Sequence, residues 1–377
     1  MALWSLSNAR NAGNSIYLQG MSEPSMGRNG IYIGRTAVYD TPFMLDLHGT
    51  VNPHLAIIGM TGSGKTYLTK SIALRAAIYD DYKLLIMDWN GEYAQTIEFL
   101  NGIHMHLSDK EYTEGAEAGL VSALSRNALH EHMCIDMSEL RDSDSKTSAS
   151  KAFLRAAIQT MHSISLEGHS NSMIIIDEAW HMLSGSEEIF TLFREGRKYG
   201  ISIVIATQMA SDINNAVIAN AGCVIIFKLQ NPDDYKLLKA AGILHNSMVA
   251  DSTDLGIGSC IVHQNMNDGT SSHFGISHVD GVDAEGISVS GDKMQVYIPS
   301  SKFFGAVNAL GENAKAAVSN LIMESNRRVD LVALIMALRK CAVDRPKILE
   351  FLYSIGVDGI SIVMAYEKAA AADNGAK

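Results

Sequence analysis

The chain has 377 residues, 47% hydrophobic and 19% charged, with a formal charge of −11 at pH 7. That length and apolar content suit one large α/β domain carrying an appendage, and so acidic a chain is not a basic coat spread over nucleic acid. A few residues per subunit lining a narrow pore would still suffice to hold nucleic acid, so the charge excludes the coat alone.

No apolar run reaches the length of a membrane span. The opening MALWSLSNARNAGNS lacks the basic start and apolar block of a secretory signal. A cytoplasmic protein is expected, with any attachment at the inner face of a membrane made through partners. Cys134, Cys223, Cys260 and Cys341 are scattered, without C-x-x-C, as befits reduced thiols. His104 with His106, and His130 with His132, can share strand faces, but no third ligand stands near them and no metal centre is assigned there.

Residues 1–30 are Ser-, Asn- and Gly-rich and are expected to be loosely ordered. From Ile31, IYIGRTAVYDTPFMLDL alternates as one or two strands. The apolar run Leu55–Ile58 then ends in GMTGSGKT, with Gly59, Gly64, Lys65 and Thr66 at the spacing G-x-x-x-x-G-K-[ST]. Leu68, Ile72, Leu74, Ala77 and Ile78 follow at helical spacing. Strand, glycine-rich turn and helix make the context that separates a P-loop from a chance match. Backbone from Gly59 through Thr61, Gly62, Ser63 and Gly64 can cradle phosphates at a helix N-terminus. Lys65 would reach the β- and γ-phosphates, and the Thr66 hydroxyl would hold Mg²⁺. The chain is expected to bind ATP.

KLLIMDWNGEY reads as a buried strand ending at Asp88, with Gly91 and Glu92 in a turn; both acids would flank the pocket, with no step assigned. Residues 108–170 read as a partly helical insertion. It contains a strand over His132–Leu140, a mobile polar connection RDSDSKTSAS, and a helix from Lys151. NSMIIIDEAW is a buried strand followed at once by Asp177 and Glu178. A helix around Glu187–Lys198 stops at Gly200, a natural C-cap. ISIVIATQ and AGCVIIFKL are further buried strands. Continuous apolar strands separated by helices mark a mostly parallel sheet covered on both faces. A hairpin-like pair follows over 256–276, and Met294–Ser300 is expected to close an ATPase domain spanning 31–300. Residues 301–377 read as a helical appendage, with Leu331, Leu334, Ile335 and Leu338 on one face. Its Lys and Arg line no single face, so packing or assembly is favoured over DNA contact.

Asp177 stands where a Walker B aspartate would help hold Mg²⁺ beside Thr66. Glu178 would orient and polarise the attacking water, and the pair favours hydrolysis over a pure binding switch. Gln208, ending the neighbouring strand, either senses the γ-phosphate or merely caps the strand. Arg194, Arg197 and Lys198 form either a solvated helix end or an arginine finger directed at a neighbouring subunit.

GMTGSGKT, DWNGEY, IIIDEAW and EGRKYGISIVIATQ, in that order, resemble the HerA/FtsK superfamily of P-loop motors, including archaeal HerA-like and type IV secretion or conjugation ATPases. The resemblance implies a RecA-like fold, a homohexamer with nucleotide between subunits, and DNA or a secretion substrate as cargo. It implies that Arg197, eleven residues before the sensor Gln208, is the finger. A conjugation-type motor is the first expectation. The alternatives are a HerA-type end-processing translocase working with a nuclease, and a nucleotide-gated scaffold of a secretion platform. Family members carry a larger N-terminal domain, whereas 53 residues precede His54. The expectation is a minimal motor, an excised motor domain, or a motor whose docking module is a separate chain.

Overall fold

The computed structural model describes residues 30–37, 42–79, 82–109, 116–127, 131–167, 171–179, 187–213, 215–245, 255–280, 295–297, 307, 310, 312–324, 328–355, 357 and 359–375. The expectation of loose order at the N-terminus lies outside these residues, as does His130. By internal contacts the chain divides into Met1–Asp283 and Ala284–Lys377.

The first unit runs β1 (Ile31–Thr36), β2 (Pro42–Leu45), β3 (Leu55–Ile58), α1 (Lys65–Tyr79), β4 (Lys83–Asp88), α2 (Ala94–Phe99), β5 (Ile103–His106), α3 (Ala116–Asn127) and β6 (Met133–Asp136). It continues with α4 (Ser143–Glu167), β7 (Ser172–Ile176), α5 (Glu187–Glu195), β8 (Ile201–Thr207), α6 (Asn215–Asn220), β9 (Cys223–Ile226), α7 (Pro232–Ala240), β10 (Cys260–Asn265) and β11 (Ser271–Val279). Its strands form one 11-stranded sheet in the order β2-β1-β11-β10-β9-β3-β8-β7-β4-β6-β5. From β9 to β5 every pairing is parallel; from β9 to β2 every pairing is antiparallel. The expected α/β architecture with a mostly parallel sheet is present.

Successive residues of a strand face opposite sides, and strands β3, β7, β8 and β9 are buried at every position, so the sheet divides the interior into two layers. Ala56, Ile58, Ile174, Ile176, Ile203 and Ile205 enter one layer. Leu55, Ile57, Met173, Ile175, Val204 and Ala206 enter the other. α1 lies across the second layer, where Leu68, Ile72, Ala73 and Ala76 are buried. At the far end of α1, buried Arg75 donates Nη1–H to the carbonyls of Tyr32, at 2.7 Å, and Asp280, at 2.6 Å. The phosphate-loop helix is thereby tied to β1 and to the exit of β11.

Within 108–170 one reading holds and one is corrected. Met133–Asp136, inside the strand expected over His132–Leu140, is fully buried and pairs with both β4 and β5, so it extends the main sheet. The polar RDSDSKTSAS is no mobile connection, for α4 begins inside it at Ser143. Asp142 accepts from Ser145 N–H at 2.9 Å, an N-cap bond that satisfies one orphan donor of the first turn.

In the second unit β12 (Gln295–Tyr297) pairs antiparallel with β13 (Arg328–Asp330). It therefore lies with the C-terminal residues instead of closing the large sheet, because its partner strand stands downstream of it. The unit also holds α8 (Glu312–Glu324), α9 (Leu331–Lys340), α10 (Arg345–Ser354) and α11 (Gly359–Gly375). Asp330 caps α9 by accepting from Val332 N–H at 3.0 Å. Leu331, Leu334, Ile335 and Leu338 form the buried face read from their spacing. No described helix is long and apolar enough to cross a membrane.

Candidate nucleotide site

The carboxyl ends of parallel strands β3, β4, β7, β8 and β9 meet at one edge of the sheet, where ligands bind in folds of this kind. The glycine-rich loop leaves β3 there. A Cβ on Gly59 would stand 2.5 Å from the Phe227 Cβ just beyond β9, so a side chain cannot be placed at that position. Gly64 takes φ +111°, a conformation open to glycine and rare for other residues. With the chain so turned, α1 starts at Lys65 and its first amides face the loop.

Lys65 is buried, and its Nζ donates to the Met60 carbonyl at 3.3 Å. Burial draws its pKa down, and the carboxylates of Glu178, Asp177 and Glu92 oppose that shift. Ser63 Oγ, also buried, has no hydrogen-bond partner. An ammonium held by one carbonyl and an orphaned hydroxyl in the same loop fit an anionic group such as a phosphate.

Asp177 follows β7, and Gln208 follows β8. Asp177 Oδ1 accepts from Glu178 N–H at 2.9 Å, and Oδ2 accepts from the Tyr93 hydroxyl at 3.0 Å. Burial raises the Asp177 carboxyl to about 6, against the pull of those two hydrogen bonds. Glu178 has φ +51°, sparsely populated by residues with a side chain. Its carboxylate accepts from Gln208 Nε2 at 3.4 and 3.3 Å. The two residues singled out on separate strands are thus in contact.

The structure adds Tyr93 to this set. Asp88, fully buried at the end of β4, accepts from the amides of Asn90 at 3.2 Å, Gly91 at 2.8 Å and Tyr93 at 2.8 Å. Its carboxylate is thereby committed to folding the DWNGEY turn. The turn aims the buried Tyr93 phenol at Asp177, and the Lys70 ammonium stands 5.9 Å over the ring. Burial, then the adjoining Asp177 carboxylate, pushes the Tyr93 hydroxyl well above its ordinary pKa, so it stays a hydrogen donor. Glu92 of the same turn is exposed, yet near enough for its charge to be felt by Lys65. The motif was legible in the sequence; its last residue's reach to Asp177 was not, since it depends on β4 and β7 being neighbours.

Arg197 lies apart. It sits in the 3-10 turn Gly196–Tyr199 that enters β8, whereas Gln208 leaves that strand. Seven residues at about 3.3 Å each separate the two by roughly 20 Å or more. Arg197 and Lys198 are exposed, while Arg194 pairs with Glu195 at 3.1 Å. The histidines His104 and His106 on edge strand β5 both reach Asp136, at 3.5 and 3.0 Å, and His106 also meets Glu139 at 3.1 Å. Among the described residues no cluster of three or more His, Cys, Asp or Glu is arranged to hold a metal.

A parallel sheet whose central strand opens into a glycine loop and lysine-headed helix, with carboxylates on the adjoining strand ends, defines a P-loop NTPase. Residues 31–211 match the family model DUF87, helicase HerA, central domain, so this part of the chain is similar to a HerA central domain. The probable DNA double-strand break repair helicase HerA of Methanocaldococcus jannaschii is 27% identical over 97 residues, covering 24% of this chain and 19% of the relative. The DNA double-strand break repair helicase HerA of Pyrococcus furiosus is 28% identical over 97 residues, covering 24% and 18%. The chain thus matches less than a fifth of either relative's length. The solved structure of VirB4 of Thermoanaerobacter pseudethanolicus shares the fold, with a TM-score of 0.52 and 13% identity over 71% of this chain and 99% of that one.

Proposed function

We propose that this protein is an ATP-hydrolysing motor that works as a homohexameric ring and moves DNA. The observation that carries the ring is the placement of Arg197, exposed and at the opposite end of β8 from Gln208. A guanidinium there is far from its own chain's phosphate loop and is available to the site of a neighbour. In this reading the backbone of Gly59–Gly64 and the Lys65 ammonium hold the phosphates. Thr66 and Asp177 would hold Mg²⁺, which, when bound, neutralises phosphate charge. Tyr93 fixes the Asp177 carboxylate, which keeps lone pairs for a metal or its waters beyond the two bonds it accepts.

Glu178 positions the attacking water, and Gln208 competes for the same carboxylate. The Gln208 amide rests on Glu178; an amide drawn to a bound γ-phosphate would free that carboxylate. The neighbour's Arg197 then supplies positive charge to the transferring group, a contribution on the order of 10³–10⁵ in rate where it occurs. DNA is the cargo favoured because both sequence relatives are named DNA repair helicases. The residues 31–283 are read as the motor and the following ones as an assembly element. Transfer through a membrane channel and end-processing with a nuclease are two settings for one such motor.

The test is ATP turnover per chain against protein concentration, with and without DNA. Turnover is expected to rise steeply as rings assemble and to increase with DNA. A rate per chain that stays flat down to dilute monomer contradicts a shared site.

A further inference from the structure

Turnover chemistry occupies only one flank of the phosphate loop. The charges felt by Lys65, those of Glu178, Asp177 and Glu92, lie on the side of β8, β7 and β4. The other flank, toward β9 and β10, is built differently. Phe227 lies against Gly59 and Gly64, and a Cβ on Gly64 would stand 3.5 Å from the Gly258 Cα. The amide of Gly258 donates to the Ser63 carbonyl at 3.0 Å, so the turn before β10 is hydrogen-bonded directly to the phosphate loop.

That turn is held from three sides. Ser259 N–H closes it on the Gly256 carbonyl at 3.1 Å, and Val279 N–H on β11 donates to the Gly258 carbonyl at 2.7 Å. Ser259 Oγ donates to the Ser277 carbonyl at 2.6 Å. Leu255 anchors its start in the core at 1% exposure, while Ile257 at its tip is 82% exposed. An isolated exposed isoleucine is ordinary on a protein surface. One presented on a turn bonded to the phosphate loop, on the flank away from Glu178, Asp177 and Glu92, stands on the side left to a nucleotide's organic part if its terminal phosphate points at Glu178 and Gln208.

We propose that the Gly256–Gly258 turn is the base-side wall of the nucleotide site, with Ile257 packing on the nucleoside of the bound triphosphate. The proposal rests on the nucleotide reading of the loop and adds what recognises the nucleoside. An aliphatic side chain covers a ring face and reads none of its hydrogen-bonding edge. The wall therefore contributes affinity for a nucleoside triphosphate and little choice between adenine and guanine.

The experiment compares ATP, GTP and inorganic tripolyphosphate binding to full-length protein and to Ile257→Ser by calorimetry. Sedimentation is run on the same samples. Ile257 is exposed, so the substitution leaves the core intact. The expected result is an affinity for ATP and for GTP lowered about tenfold, the scale of covering one aliphatic side chain, with tripolyphosphate binding unchanged. Unchanged ATP affinity in Ile257→Ser overturns the proposal, and a shifted sedimentation profile with that result assigns the tip to a subunit contact. Equal losses for ATP and tripolyphosphate also overturn it, since the change would then lie in the phosphate loop. Wild-type protein that binds neither ligand overturns the nucleotide reading itself, and this one with it.

Discussion

Tyr93 gives its hydroxyl hydrogen to Asp177 inside a site where both side chains are buried, so neither can turn to water for a substitute. Tyr93→Phe keeps the ring and deletes that donor. It is expected to lower folding stability by about 1 kcal/mol, read from urea midpoints without nucleotide. Asp88→Ala strips the acceptor from three amides at once and should cost about 3 kcal/mol or more in the same assay. If Asp88→Ala proves the milder change, the turn is not held by that carboxylate. Glu178→Gln separates binding from chemistry: ATP affinity should persist while turnover falls about 10²-fold or more. A variant that loses both together contradicts the assignment of Glu178 to water.

Strand β3 carries the loop at one end and His54 at the other, where the imidazole packs against Phe193 with ring centroids 5.1 Å apart. The Ile203 amide donates to His54 Nδ1 at 3.3 Å, a bond that needs this nitrogen unprotonated. Burial accordingly lowers the His54 pKa from 6.5 to about 4. Above pH 6.5 the ring is neutral folded or unfolded, and stability is unaffected by it. Between pH 6.5 and 4 the unfolded chain binds a proton that the folded chain refuses, so stability falls as pH falls. The loss reaches on the order of 3 kcal/mol near pH 4. Burial lowers His132 and His263 to about 4 as well, and they act with the same sign. His54→Asn, which keeps an acceptor without the basic nitrogen, should flatten part of the stability decline measured between pH 7 and 5. At the other end of β3, Gly59→Ala should abolish nucleotide binding, because the added methyl meets Phe227. Much of this element-level order was legible in the sequence, since apolar runs, glycine punctuation and the phosphate-loop spacing are local signals. Asp142 as the cap of α4 was missed because a polar stretch rich in Ser and Asp looks alike as loop or as helix start. The pairing of β12 with β13 was missed because short strands declare neither partner nor sheet.

For the whole molecule, the sequence carried the identity of the site residues further than their arrangement. Lys65, Asp177, Glu178 and Gln208 stand near one another at the carboxyl ends of their strands, while Tyr93 and Phe227 join them only through the order of strands in the sheet. The separation of Arg197 from that cluster is likewise a property of β8's length and direction. It gives the account its central claim, that one catalytic site is assembled from two chains. The direct test mixes Arg197→Ala with Lys65→Ala, each inactive in ATP hydrolysis by itself, and follows turnover as rings exchange subunits. A site combining intact Lys65 from one variant with intact Arg197 from the other arises in about a quarter of random head-to-tail pairings. Turnover should therefore return toward about a quarter of the wild-type rate. A mixture as inactive as its components, or an Arg197→Ala protein that hydrolyses ATP normally by itself, would contradict a site shared between neighbours.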